Sequence, residues 1–137
     1  MAGLLTGDDA VAAELRRWAS EPFGWAEANC VLSVLDYVER VTGRRLAMRP
    51  ALSGRRSARR FVQAAGGMVA MAGRAMASLD CPRTDDPRRG DVGVIDMGGM
   101  LVAAIRTGRL WAARGRRDVV FAASPALAAW RVECPRQ

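Results

Sequence analysis

A single change of hydrophobic period divides this chain and limits what it can fold into. Up to about residue 80 the apolar residues recur at helical spacing. After Gly90 they fall into short apolar runs separated by glycine-containing turns. Helices first and strands second is the order of an α+β domain, with N-terminal helices packed on a C-terminal antiparallel sheet of about five short strands. At 137 residues the chain is one domain with room for a real core.

Within the first half, Val11, Leu15 and Trp18 form one stripe and predict a helix from about Asp8 to Ala19. Thr6 and Asp9 imitate a capping box before it, and Glu21-Pro22 ends it. Asn29 is a good N-cap for a second helix, Cys30 to Thr42, in which Val31, Val34, Leu35, Val38 and Val41 share a face and Gly43 supplies the stop. That helix should be the most buried. Residues 43–54 read as a loop. Ser57 caps a third helix, Ala58 to about Ala65, with Phe61 and Val62 as its buried pair, and Gly66-Gly67 breaks it. Met68 to Ala77 is a fourth, where Met68, Met71 and Met76, with Met48, serve as adaptable core filler. Residues 78–90 form a surface connection. Strands follow at Asp91–Asp96, Leu101–Ile105, Leu110–Ala113, Val119–Phe121 and Ala129–Val132, joined as a meander with turns at Gly98-Gly99 and Thr107-Gly108.

The formal net charge is +7, and all 21 basic residues are arginine. Their densest cluster is Arg44, Arg45, Arg49, Arg55, Arg56, Arg59 and Arg60. It lacks interleaved aromatic residues and any DNA-binding motif, which argues against nucleic acid and leaves a solvated face or a contact with an acidic protein neighbour. No run of eighteen apolar residues exists to span a membrane, and the first residues lack the pattern of a secretory signal. Cys30, Cys81 and Cys134 lie about fifty residues apart, an odd and widely spaced set that suits neither a disulfide framework nor a zinc site. With no histidine in the chain, no metal or other cofactor is expected, and the setting of synthesis reads as a reducing cytoplasm.

Cys30 is the candidate catalytic residue. It stands at the first position of a helix, where free backbone N–H groups and the helix dipole favour a thiolate, just after a loop containing Trp25. The alternative is that Cys30 is a small buried hydrophobe.

Three features then occur in order: the Trp25-x-x-x-Asn29-Cys30 approach to a helix, the Arg88-Arg-Gly-Asp-Val92 strand opening, and the hairpin after it. Together they resemble the NlpC-type cell-wall peptidases, compact relatives of papain. More closely, the chain is similar to a small branch of that superfamily found in phages and prophages. The likeness rests on Pro22-Phe23-x-Trp25, the Ala58…Gly66-Gly67 segment and the closing Ala129-Trp-Arg-Val132. The resemblance implies a single NlpC-like domain over residues 1–137, a nucleophile at Cys30 and a histidine opening the second strand. That strand instead reads Met100-Leu101, and Asn29 stands where the family usually has Asp. Without a base to take the thiol proton and return it to the leaving amine, cysteine peptidase chemistry has no proton path. Two readings follow. One is a virion component, located in the tail of a phage or gene-transfer particle near its tip, with other tail proteins as partners and the fold's chemistry lost. The other is an active peptidoglycan-cleaving hydrolase of the tail that uses Cys30, with a carboxylate such as Asp96 or a histidine from a neighbouring subunit as base.

Overall fold

The computed structural model describes residues 9–21, 30–47, 54–115 and 118–133. Four helices precede five strands: α1 (Ala10–Ser20), α2 (Cys30–Thr42), α3 (Arg55–Ala64) and α4 (Met68–Ser78), then β1 (Val92–Met97), β2 (Met100–Arg106), β3 (Trp111–Arg114), β4 (Val119–Ala122) and β5 (Ala126–Trp130). The α+β order read from the sequence is the observed one. All pairings are antiparallel, but the sheet order is β4-β3-β2-β1-β5. The meander therefore covers only the first four strands. The chain then crosses back to seat β5 against β1, with Val92 opposite Trp130.

Helix α2 is the axis of the core. Leu32, Val34, Leu35, Tyr37 and Val38 are buried, and the helix lies against β2 and β3. It ends as expected, the Gly43 N–H donating to Glu39 O at 2.9 Å. Val92, Val94, Ala103, Ile105, Ala128 and Trp130 supply the sheet's share of this core. Residues of the opposite parity, Ile95, Val102, Ala104, Trp111, Ala113 and Ala129, form a second cluster. Trp111 closes it so tightly over β1 that a Cβ on Gly93 would lie 2.8 Å from the indole ring. Helix α1 is tied to α2 by a buried carboxylate: Glu14 accepts from Trp18 Nε1 at 2.9 Å and pairs with Arg40 at 2.6 Å.

Several boundaries moved for identifiable reasons. Asp9 is itself the N-cap of α1, accepting the Ala12 N–H at 2.8 Å, and so is not the distal member of a capping box; Thr6 lies outside the described residues. Helix α3 starts at Arg55 because Ser57, three residues in from Gly54, exchanges hydrogen bonds with that residue's backbone. Its supposed buried pair is only partly so: Val62 is half-buried and Phe61 is 39% exposed. Met68 and Met76 do fill the core and Met71 packs against it, while Met48 falls outside the described residues. The 78–90 connection is less superficial than expected. Leu79 and Cys81 are buried, and Thr84 N–H and Arg131 N–H bond across to Ala129 O and Pro82 O, lining the connection along β5. The last strand runs from Ala126 and stops at Trp130, because Arg131 and Val132 turn away toward that connection and toward Asp91.

Candidate functional site

Cys30 is the first residue of α2, as the spacing predicted, and is half-buried at the edge of the second apolar cluster. Asn29, the expected cap, and Trp25 lie outside the described residues. Burial pushes the Cys30 thiol above its ordinary range. Backbone hydrogen bonds involving Ala103, Val31 and Cys30 itself pull the other way and do not overcome it; among the described residues no cation contributes. The helix start alone thus fails to produce a thiolate.

The residues that the sequence reading weighed for the place of the base, Met100, Leu101 and Asp96, all stand at the β1–β2 hairpin. Met100 is 62% exposed and Leu101 37%, both apolar, at the opening of β2. Asp96, opposite Leu101 in the β1–β2 ladder, is engaged locally: its Oδ1 accepts the Gly99 N–H at 2.7 Å and pins the Gly98-Gly99 turn, where both residues have positive φ. An apolar cleft of about 270 Å³ runs between α2, α4 and the sheet, lined by Val31, Leu35, Met68, Met71, Ala103 and Trp130 among others; its described lining does not include Cys30. Cys81 is buried, its thiol raised chiefly by desolvation, and donates weakly to Leu79 O; Cys134 lies outside the described residues. Among the described residues no three His, Cys, Asp or Glu side chains gather where they could hold a metal, and no helix is long and apolar enough to cross a membrane.

The Arg88-Arg-Gly-Asp motif has a different use. Asp91, 2% exposed at its side chain, accepts from Arg88 N–H at 2.8 Å, Arg131 Nε at 3.0 Å and Val132 N–H at 3.2 Å. Arg89 pairs with Asp9 at 2.8 Å and donates to Thr107 O at 2.7 Å. Gly90, at φ +102°, lets the chain pass under Tyr37, whose hydroxyl donates to Gly90 O at 2.6 Å; a Cβ there would meet that hydroxyl at 3.3 Å. The strand opening and the closing Trp-Arg-Val are thus two halves of one clamp. Sequence reasoning named both motifs without joining them. The available signal was a lone Asp entering an apolar strand, which demands a buried partner.

A family model described as a domain of unknown function, DUF6950, matches residues 6–132. The chain belongs to this family. The DUF6950 match spans both halves of the Asp91–Arg131 clamp and both sides of the period change, so the helices and the sheet are parts of one family domain. No curated protein and no solved structure matches the chain.

Of the arginine cluster, Arg45, Arg56, Arg59 and Arg60 are exposed. Arg44 is exposed as well, its side chain 44% accessible, with its guanidinium donating to Leu79 O at 3.0 Å and lying 3.9 Å from Asp80. Arg49 and the Arg55 side chain lie outside the described residues.

Proposed function

We propose that this DUF6950 chain is a structural or assembly component of a phage or gene-transfer-particle tail, near its tip, built on an NlpC-like fold that has lost its chemistry. The tail setting and the NlpC-like relation come from the resemblance of residues 22–30, 58–67, 88–92 and 129–132 to that superfamily. The observation that carries the loss of chemistry is the pairing of a half-buried, proton-holding Cys30 with a β2 strand that opens on Met100-Leu101, in a chain without histidine. A neutral thiol is a weak nucleophile, and removal of a triad member ordinarily costs about three to six orders of magnitude in rate.

The surface supports the same reading. An excess of exposed arginine on α3 suits docking onto larger, more acidic partners. The test is complementation. Particles made without this chain should be defective in tail assembly, and Cys30→Ala should restore them as well as the wild-type gene does. Intact, infectious particles formed in its absence would remove the assembly role. Restoration by wild type but not by Cys30→Ala would move the reading to the hydrolase.

A further inference from the structure

A second concavity, unrelated to Cys30, lies between the 83–87 connection, the ends of β2 and β3, residues 123–125 and β5, with a volume of about 420 Å³. Its lining sets three arginines, Arg83, Arg106 and Arg109, against a single carboxylate, Asp85. Among the described residues none of the three arginines makes an ion pair. Two are held by tryptophan rings instead. Arg106 stands opposite Trp111 in the β2–β3 ladder, its guanidinium 5.1 Å from the ring centroid, and Arg83 bridges to Trp130 with its guanidinium 5.6 Å away.

Arg106 is the decisive member. Its Nε is fully buried with no hydrogen-bond partner, the one such side-chain atom among the described residues. Its backbone is fixed, the N–H donating to Asp91 O at 2.8 Å, and the Trp111 ring lies against the guanidinium. That Nε is sealed from any ligand, so recognition falls to the outer Nη groups of the same fork, which are open and make no hydrogen bond among the described residues. The matching acceptor is an oxyanion, because the guanidinium fork presents paired N–H groups at the spacing of two oxygens on phosphorus or carbon. We propose that this concavity binds a compact oxyanion, a phosphate ester or a carboxylate, with Arg106 as the central donor and Arg83 and Arg109 supplying charge at the rim. The site stands whether or not Cys30 has any chemistry.

The experiment is a titration of the full chain with glycerol phosphate and, separately, with succinate, at constant ionic strength set by sodium chloride, read by calorimetry and by tryptophan fluorescence. Saturable binding of at least one probe is expected. Arg106→Met should weaken it by about tenfold or more, the size of a lost charge-assisted hydrogen bond. The melting temperature of the unliganded Arg106→Met protein should hold or rise, since an unpaired buried N–H has been removed. Arg109→Met, at an exposed position on the rim, should weaken binding a few-fold and keeps the test available if the Arg106 variant fails to fold. Response to glycerol phosphate alone would assign a phosphate ligand, response to succinate alone a carboxylate, and response to both the shared oxyanion chemistry. Absence of saturable binding by both probes, or equal binding by wild type and both variants, would overturn the proposal.

Discussion

Replacing Asp91 by asparagine should destabilise the protein measurably. The side chain is 2% exposed and its two oxygens take three donors, one of them the Arg131 guanidinium at 3.0 Å. Asparagine keeps the volume but removes the charge and turns one acceptor into a donor facing N–H groups. Breaking a buried ion pair from one side commonly costs about 3–5 kcal/mol. The figure is smaller here because Arg131 is 26% exposed and retains Thr84 Oγ1 and Asp86 O as acceptors, so its charge is not stranded. A loss of about 2–3 kcal/mol is therefore expected, which for a domain of this size lowers the melting temperature by about 6–15 °C. Urea unfolding at neutral pH reads it directly, as a lower midpoint with unchanged slope. Arg131→Met should cost less than Asp91→Asn, and the double variant should cost less than the sum of the two. A loss below about 0.5 kcal/mol, the range of ordinary surface changes, would show that the clamp does not hold the sheet to its connection.

Three further outcomes follow from the same structure. Gly93→Ala should destabilise by about 1–3 kcal/mol, because its Cβ would press on the Trp111 ring at 2.8 Å and on Ala128 O at 2.9 Å; an unchanged urea midpoint would contradict the packing of the second cluster. Stability should fall as pH rises above about 9. Burial raises the Cys30, Cys81 and Tyr37 side chains above their unfolded values, so the stabilisation they give is complete below those values and lost as alkali ionises the unfolded chain first. A midpoint flat from pH 8 to 11 would refute that burial. Alanine at Arg56, Arg59 and Arg60 should leave folding intact while weakening incorporation into particles, since these side chains are exposed on α3; normal incorporation would release this surface from the docking role.

Much of the fold was legible because the local signals agreed with the global one. The α2 helix, its stop at Gly43, the Gly66-Gly67 break and the Gly98-Gly99 hairpin each follow from periodicity or backbone freedom at a few residues. The departures are long-range. The placement of β5 beside β1 depends on Asp91 and Arg131 meeting across 40 residues, and the burial of Leu79 and Cys81 depends on the connection pairing with β5. Neither fact is visible in a local window. At the site, the position of Cys30 was legible, and so was the opposition between the helix start and the apolar Met100-Leu101 that argues for a protonated thiol. The burial itself was not, because the apolar cluster of Ile95, Val102 and Trp111 against which Cys30 rests is assembled from three strands. In the arginine cluster, the contact of Arg44 with Leu79 O, 35 residues away, was hidden in the same way, although the side chain stays exposed.

The central claim is that Cys30 occupies a nucleophile's position without a nucleophile's chemistry. Purified protein incubated with peptidoglycan fragments, alongside a thiol-reactive probe at graded pH, addresses it most directly. No bond cleavage is expected, and the Cys30 thiol should react only as the pH climbs past the ordinary range of a cysteine. Cleavage of the fragments that disappears in Cys30→Ala, with a thiol already ionised near neutral pH, would contradict it.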